Sequence, residues 1–171
     1  MKDITASKII ERIKTSTFPC KIAITGGRHV GKTTALLKIY KQAAANRLDI
    51  AGFVELAVFN GSDRTGYRFM DICTNETCDV AQRLDPNGYK FYDEAWRWAE
   101  QKLLASENHS ILIIDELGRL EAQNQGLMPA LRASMARHPR HLIAAVRDDA
   151  LDAIASSIDG FDEICRIDPI Q

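Results

Sequence analysis

The sequence of 171 residues lacks the features that mark several classes of protein. It has no apolar run near the roughly 18 residues that cross a bilayer, and its first residues are too polar for the apolar part of a secretion signal. Its formal net charge of −1 argues against broad electrostatic binding to nucleic acid or to an anionic membrane. We therefore expect a cytoplasmic protein that binds neither; an oligomer stays open, but nothing in the sequence indicates one.

Cysteine is scarce and unpaired in the sequence. The four cysteines, Cys20, Cys73, Cys78 and Cys165, form no C-x-x-C pair, and no histidine stands at zinc-finger spacing from two of them. We expect these thiols to be reduced and mostly structural, as is usual in the cytosol. Hydrophobic residues make up 46% of the chain and charged residues 26%, which is close to the globular norm and excludes extended disorder.

Apolar strands alternate with helical patterns along the chain. Strands are predicted at 21–25, 111–115, 142–146 and 161–167, and helices at 4–13, 33–46, 92–107, 127–137 and 149–157. Continuous apolar runs are typical of parallel strands that are covered on both faces. The pattern predicts an α/β fold, a three-layer parallel sheet flanked by helices, in one domain that spans residues 1–171.

A different pattern interrupts this alternation after the second helix. Residues 53–59 and 67–73 are rich in β-forming side chains, and turn-forming residues at 60–63 lie between them. We predict an antiparallel β-hairpin inserted at about residues 51–74.

The strongest motif is a glycine-rich loop between the first apolar strand and the helix that follows it. Residues 26–34 read GGRHVGKTT, and the first eight fit G-x-x-x-x-G-K-[ST]. Backbone N–H groups of such a loop and of a helix N-terminus attract phosphate oxygens, a lysine adds a compact cation, and a threonine offers a hydroxyl to Mg²⁺. The residues expected to bind the nucleotide are Gly26, Gly27, Arg28, His29, Val30, Gly31, Lys32, Thr33 and Thr34, with Lys32 also catalytic and Thr33 also a magnesium ligand.

A pair of acids, Asp115 and Glu116, follows the apolar run that begins at Ile111. The carboxyl ends of parallel strands meet at the sheet edge that also carries a phosphate loop. We expect Asp115 to bind magnesium, mainly through its water shell, and Glu116 to polarise a water molecule toward the γ-phosphate. The alternative is a strand that simply ends in solvated charges.

Arginines offer further candidates for contact with phosphate. Arg147 follows the apolar run 142–146 and is expected at the same sheet edge, where it would act on the γ-phosphate; the alternative is a pairing with Asp148 or Asp149. Arg64 and Arg68 belong to the hairpin and are interpreted as surface residues.

These motifs resemble those of the compact P-loop nucleoside-triphosphatase (NTPase) family. The likeness is carried by residues 24–34, by 51–53 with 64–67, by 88–89 and by the string DELGRLE at 115–121. It implies a RecA-like parallel sheet and slow, magnesium-dependent hydrolysis of ATP, GTP and related triphosphates. The family usually carries a glycine where this chain has His29.

We predict a nucleoside-triphosphatase in which water attacks the γ-phosphate with Mg²⁺ as cofactor. Two alternatives stay open. A kinase would move the γ-phosphoryl group to a small acceptor, and the hairpin together with residues 119–140 would supply its lid. A nucleotide-binding switch would bind the triphosphate without turnover. Phosphate release in the absence of an acceptor separates hydrolysis from both alternatives.

Overall fold

The structure is a computed structural model that describes residues 4–84 and 88–167. Its strands are β1 (Lys21–Gly26), β2 (Ile50–Asn60), β3 (Asp63–Asp71), β4 (Thr77–Leu84), β5 (Gly88–Phe91), β6 (Ile111–Leu117), β7 (His141–Arg147) and β8 (Glu163–Arg166). Its α-helices are α1 (Ile4–Thr15), α2 (Lys32–Ala45), α3 (Asp93–Ala105), α4 (Arg119–Ala122), α5 (Met128–Arg137) and α6 (Leu151–Ser157).

All the described strands belong to one sheet, in the order β5-β4-β3-β2-β6-β7-β1-β8. Neighbouring strands are parallel from β2 to β8 and antiparallel from β2 to β5. β2 belongs to both parts, because its residues 50–53 pair with β6 and its residues 53–60 pair with β3. The antiparallel part therefore continues the sheet directly from the strand beside β6.

Helices cover the parallel strands on both faces. α1 and α2 pack on one face with Ile22 and Ile24 of β1, while α3, α5 and α6 pack on the other with Ala23. The strands β1, β6 and β7 are buried almost end to end because both of their faces are covered. The predicted fold class, a three-layer α/β sheet with an inserted antiparallel hairpin, is confirmed.

The antiparallel part is larger than the predicted hairpin. β4 and β5 extend it, although no strand was predicted between the hairpin and the helix at 92–107. The second hairpin strand ends at Asp71 rather than at Cys73, because the Asp71 carboxylate accepts the N–H groups of Cys73 (2.8 Å) and Thr74 (3.0 Å) and closes a turn there. An acid that hydrogen-bonds the backbone two and three residues ahead is a turn former rather than a strand residue.

Neither a disulfide nor a helix long and apolar enough to span a membrane occurs within residues 4–84 and 88–167. Cys20 is buried, Cys78 and Cys165 are half-buried, and Cys73 is exposed, all as free thiols.

Candidate active site

The glycine-rich loop connects the carboxyl end of β1 to the N-terminus of α2. Gly31 precedes the helix with φ of 99°, a left-handed conformation that favours glycine. The first backbone hydrogen bond of the helix runs from the Ala35 N–H to the Gly31 carbonyl (2.9 Å). The N–H groups of the residues before Ala35 have no acceptor inside the helix, so the end of the loop offers donors to an anion.

His29 occupies a loop position that strongly favours glycine. Its φ is 60°, in the left-handed region that side chains with a Cβ rarely adopt. The next residue, Val30, packs against the core beneath the loop, and the exposed side chains of Arg28 and His29 face the cavity above it.

Lys32 folds back onto the loop. Its ammonium group donates to the carbonyl oxygens of Gly27 (3.0 Å) and Gly26 (3.3 Å), and the side chain is 8% exposed. The backbone thus holds the cation in place beside the N-terminus of α2. Phosphate oxygens are stronger acceptors for an ammonium group than neutral carbonyls are.

The two acids near the end of β6, Asp115 and Glu116, occupy a β-bulge. Ile114 pairs with Ala144 and Leu117 with Val146, so two residues of β6 oppose the single residue Ala145 of β7. Glu116 takes a left-handed φ of 63° in this bulge. Asp115 is buried and Glu116 is exposed, so the two neighbouring carboxylates differ in their surroundings.

Asp115 is a buried carboxylate with spare bonding capacity. Its Oδ2 accepts the Glu55 N–H (3.1 Å), whereas Oδ1 has no hydrogen-bond partner among the described residues. Burial raises the pKa of Asp115 to about 6, while the Thr33 hydroxyl and the Glu55 N–H act in the opposite direction. An oxygen of this kind, beside a hydroxyl oxygen, suits a hard cation.

One cavity of about 610 Å³ joins the loop to the acids and to the hairpin. Of the predicted site residues, its wall includes Arg28, His29, Gly31, Lys32, Thr33, Glu116 and Arg147. Asp115 lies beneath the wall, and Gly26, Gly27, Val30 and Thr34 do not contribute to it. The structure therefore brings together the side chains predicted to handle the terminal phosphate, with Thr34 exposed on the outer side of α2.

Arg147 is paired with an acid at the entrance to α6. Its Nε and Nη2 donate to the two carboxylate oxygens of Asp149, each at 3.0 Å, and Arg119 donates to Asp149 as well (3.2 Å). Hydrogen bonds from these arginines lower the pKa of Asp149 to about 2. The pairing considered from the sequence is thus present, and Arg147 also faces the cavity.

Glu121 fixes the segment that follows Glu116. Its buried carboxylate accepts the N–H groups of Gly118 (2.9 Å) and Leu127 (3.0 Å). Gly126 packs so closely that a Cβ there would lie 2.2 Å from Glu121 Oε1. Glu121, the last residue of the DELGRLE string, thus connects the segment after the bulge to the start of α5 through these two hydrogen bonds.

Glu55 is a residue of the cavity that the sequence analysis missed. It lies where β2 leaves β6, and its carboxyl group faces the cavity beside Glu116. Burial raises the pKa of Glu55 to about 8, and the negative charges of Glu116 and Asp115 add to the rise. One signal was available, since Glu55 is the only charged residue between Ile50 and Asn60.

We expect Glu55→Gln to remove a pH-dependent loss of stability. The folded protein keeps the Glu55 proton up to about pH 8, whereas the unfolded chain releases it near pH 4.5, so folding binds more protons between these values. The contribution of Glu55 to the free energy of unfolding of the wild type therefore falls as the pH rises from about 5 to 8. Relative to the wild type, Glu55→Gln should gain up to about 3 kcal/mol over this range.

Urea unfolding of the metal-free protein at a series of pH values measures this gain. The exposed Glu94 of α3 provides the control variant Glu94→Gln, which should follow the wild-type pH dependence. Wild-type and Glu55→Gln curves that stay parallel from pH 5 to 8 would contradict the prediction.

The sequence of this chain is similar to those of known proteins. Residues 21–168 match the family model described as NTPase. The nucleoside-triphosphatase THEP1 of Saccharolobus solfataricus is 35% identical over 107 residues, which are 59% of this chain and 61% of the relative. The protein of the same name from Pyrobaculum aerophilum is 30% identical over 136 residues, 77% of this chain and 76% of the relative. The match to the first of these thus spans less than two thirds of its length.

Two solved structures share the fold. The crystal structure of THEP1 from the hyperthermophile Aquifex aeolicus superposes with a TM-score of 0.65 at 20% identity, over 87% of this chain and 90% of that one. The solution structure of a human cancer-related nucleoside triphosphatase gives a TM-score of 0.67 at 18% identity, over 89% of each chain. Since the family model covers most of the sequence and the fold agrees, the chain belongs to the NTPase family.

Proposed function

We propose that this protein is a magnesium-dependent nucleoside-triphosphatase that hydrolyses ATP or GTP at the bond between the β- and γ-phosphates. The observation that carries the proposal is that Lys32 and Thr33, at the N-terminus of α2, share one cavity with Glu116. The names of the relatives from Saccharolobus and Pyrobaculum support the same reaction.

The residues of the cavity have different roles in the transfer of the γ-phosphoryl group to water. The loop and Lys32 bind the β- and γ-phosphates, and Lys32 exchanges its carbonyl partners for phosphate oxygens. Glu116 orients a water molecule and takes its proton as the bond from the water oxygen to the γ-phosphorus forms. The bond from that phosphorus to the β–γ bridging oxygen breaks, and the products are a nucleoside diphosphate and inorganic phosphate.

Thr33 and Asp115 are the residues that would hold magnesium. The unpartnered Oδ1 of Asp115 and the neighbouring Thr33 hydroxyl are hard oxygen ligands of the kind Mg²⁺ prefers. When bound, the metal neutralises charge that develops on the phosphate oxygens. Asp115 must be ionised for this role, and its pKa of about 6 leaves it ionised at neutral pH.

Removal of the metal tests the proposal. With ATP or GTP and no acceptor, we expect steady phosphate release in Mg²⁺ and none in excess EDTA. Asp115→Asn should raise the Mg²⁺ concentration for half-maximal release by roughly 10-fold or more, because an amide is a weaker ligand than a carboxylate. A coupled phosphate assay over a magnesium titration measures both effects.

The exposed Asp152 of α6 offers a matched control, and Asp152→Asn should keep the wild-type magnesium requirement. Phosphate release that persists in EDTA would overturn the magnesium dependence. Release that appears only after a nucleoside or a nucleoside monophosphate is added would favour the kinase.

A further inference from the structure

Arg64 lies in the wall between two cavities. It lines the cavity that contains Lys32 and Glu116, and it also lines a groove of about 630 Å³ on the antiparallel part of the sheet. Arg68, on the same strand, lines only the groove. The two arginines, both interpreted from the sequence as surface residues, thus differ, because Arg64 also lines the phosphate cavity.

Two aromatic rings hold the Arg64 guanidinium group. It lies 5.7 Å from the centre of the Phe59 ring and 5.6 Å from that of the Tyr67 ring. Its Nη1 donates to the Tyr67 hydroxyl at 3.0 Å. A guanidinium group fixed by aromatic faces loses little further freedom when its edge binds an anion.

The charge of Arg64 has no carboxylate partner within residues 4–84 and 88–167, and its buried Nε has no hydrogen-bond acceptor there. The other arginines near it differ in this respect. Arg68 donates to Asp79 at 2.7 Å, and Arg147 makes two hydrogen bonds to Asp149. A partly buried cation with unused donors at the wall of a cavity favours an anionic ligand in that cavity.

The sheet order indicates which part of the substrate this cation meets. Lys32 and Thr33 mark the phosphate end of the nucleotide, and β6 carries Glu116 at its tip. β2 is the neighbour of β6, and the hairpin continues from β2, so Arg64 approaches from the side of Glu116. In the proposed hydrolysis, this is the side of the water molecule that Glu116 orients.

We propose that Arg64 is a further catalytic residue, which donates to the γ-phosphoryl oxygens and stabilises the charge that they carry in the transition state. The inference rests on the proposed function and deepens it. Arg64 supplies a second cation in the cavity that Lys32 lines, and it acts within its own chain. Positioned donors of this kind act mainly on the rate of the chemical step.

The test compares Arg64→Ala with Arg68→Ala, which removes an arginine of the same strand that does not reach the phosphate cavity. We expect Arg64→Ala to lower kcat for phosphate release by roughly 100-fold or more, with KM changed much less. Arg64→Lys, which keeps the charge but lacks the planar fork, should recover part of the loss. Arg68→Ala should stay within about threefold of the wild type, as a surface ion pair contributes little.

Affinity for analogues separates this inference from the proposed hydrolysis. Arg64→Ala should strongly weaken binding of the diphosphate with aluminium fluoride, which resembles the transition state, and weaken a non-hydrolysable β,γ-imido triphosphate much less, while the diphosphate alone binds as in the wild type. If the wild type binds the analogue more tightly than Arg64→Ala does but releases no phosphate, the proposed hydrolysis is contradicted and the contact between Arg64 and the γ-phosphate is supported. If the wild type releases phosphate and Arg64→Ala does so at the same rate, the inference alone fails.

A folding defect is distinguished by the same measurements. Thermal unfolding and the affinity for the diphosphate report whether Arg64→Ala retains the native loop. A loss of diphosphate affinity equal to the loss of triphosphate affinity, with no recovery in Arg64→Lys, would overturn the assignment in favour of a purely structural role.

Discussion

Glu116→Gln is expected to lower kcat for phosphate release by about 1,000-fold while the triphosphate binds as tightly as before. A glutamine keeps the size and the hydrogen-bonding reach of the side chain but cannot take a proton from water. Removal of a general base from a positioned water costs roughly 10²- to 10⁴-fold. Because the Glu116 side chain is exposed and glutamine has the same size, the substitution should leave the fold intact.

Steady-state release of phosphate gives kcat, and calorimetry with a non-hydrolysable triphosphate gives the affinity. Glu94→Gln, on the exposed surface of α3, is the matched control and should leave both quantities unchanged. A Glu116→Gln protein that retains more than about a third of the wild-type kcat would show that another group orients the water. Glu55, which shares the cavity wall, would then be the first residue to test.

Lys32→Ala is expected to weaken triphosphate binding by at least about 100-fold. The substitution removes an ammonium group that is already held beside the N-terminus of α2. Hydrogen bonds to a charged group are worth about 1.5–3 kcal/mol each, and the lysine is expected to contact two phosphates. The loss of both contacts should therefore lower the affinity for the triphosphate as well as the rate of its hydrolysis.

Calorimetric titration with a non-hydrolysable triphosphate measures the change. Lys41→Ala provides a control on the same helix, because Lys41 is exposed and does not face the cavity. Unchanged affinity in Lys32→Ala would remove the glycine-rich loop from the substrate site altogether.

The parallel part of the fold could be predicted because its strands are buried on both faces. β1, β6 and β7 are mostly continuous apolar runs. The carboxyl end of each is marked in the sequence, by the glycine-rich loop, by the pair Asp115 and Glu116, and by Arg147, respectively. β4 and β5 carried no such signal. β4 alternates only weakly between buried and exposed residues, and β5 is a four-residue edge strand with no fully buried side chain. α4 is a single turn, too short to show helical spacing.

The site residues that are neighbours in the sequence could be predicted, whereas those that the pairing of β-strands brings together could not. Residues 26–34 form a contiguous motif, and Asp115 and Glu116 are neighbours. Glu55 reaches them only because β2 pairs with β6, and its N–H then donates to an acid sixty residues away. The bulge that contains Asp115 and Glu116 also depends on the register against β7. No spacing in the sequence specifies such a register.

The shared strand β2 couples the antiparallel part to the buried acid. The Glu55 N–H that holds Asp115 Oδ2 lies just beyond residues 50–53, which pair with β6, and within the stretch that pairs with β3. The backbone group that holds the buried acid therefore belongs to the same strand as the hairpin. A displacement of the hairpin relative to β6 would lengthen this hydrogen bond and loosen Asp115 without any contact inside the cavity.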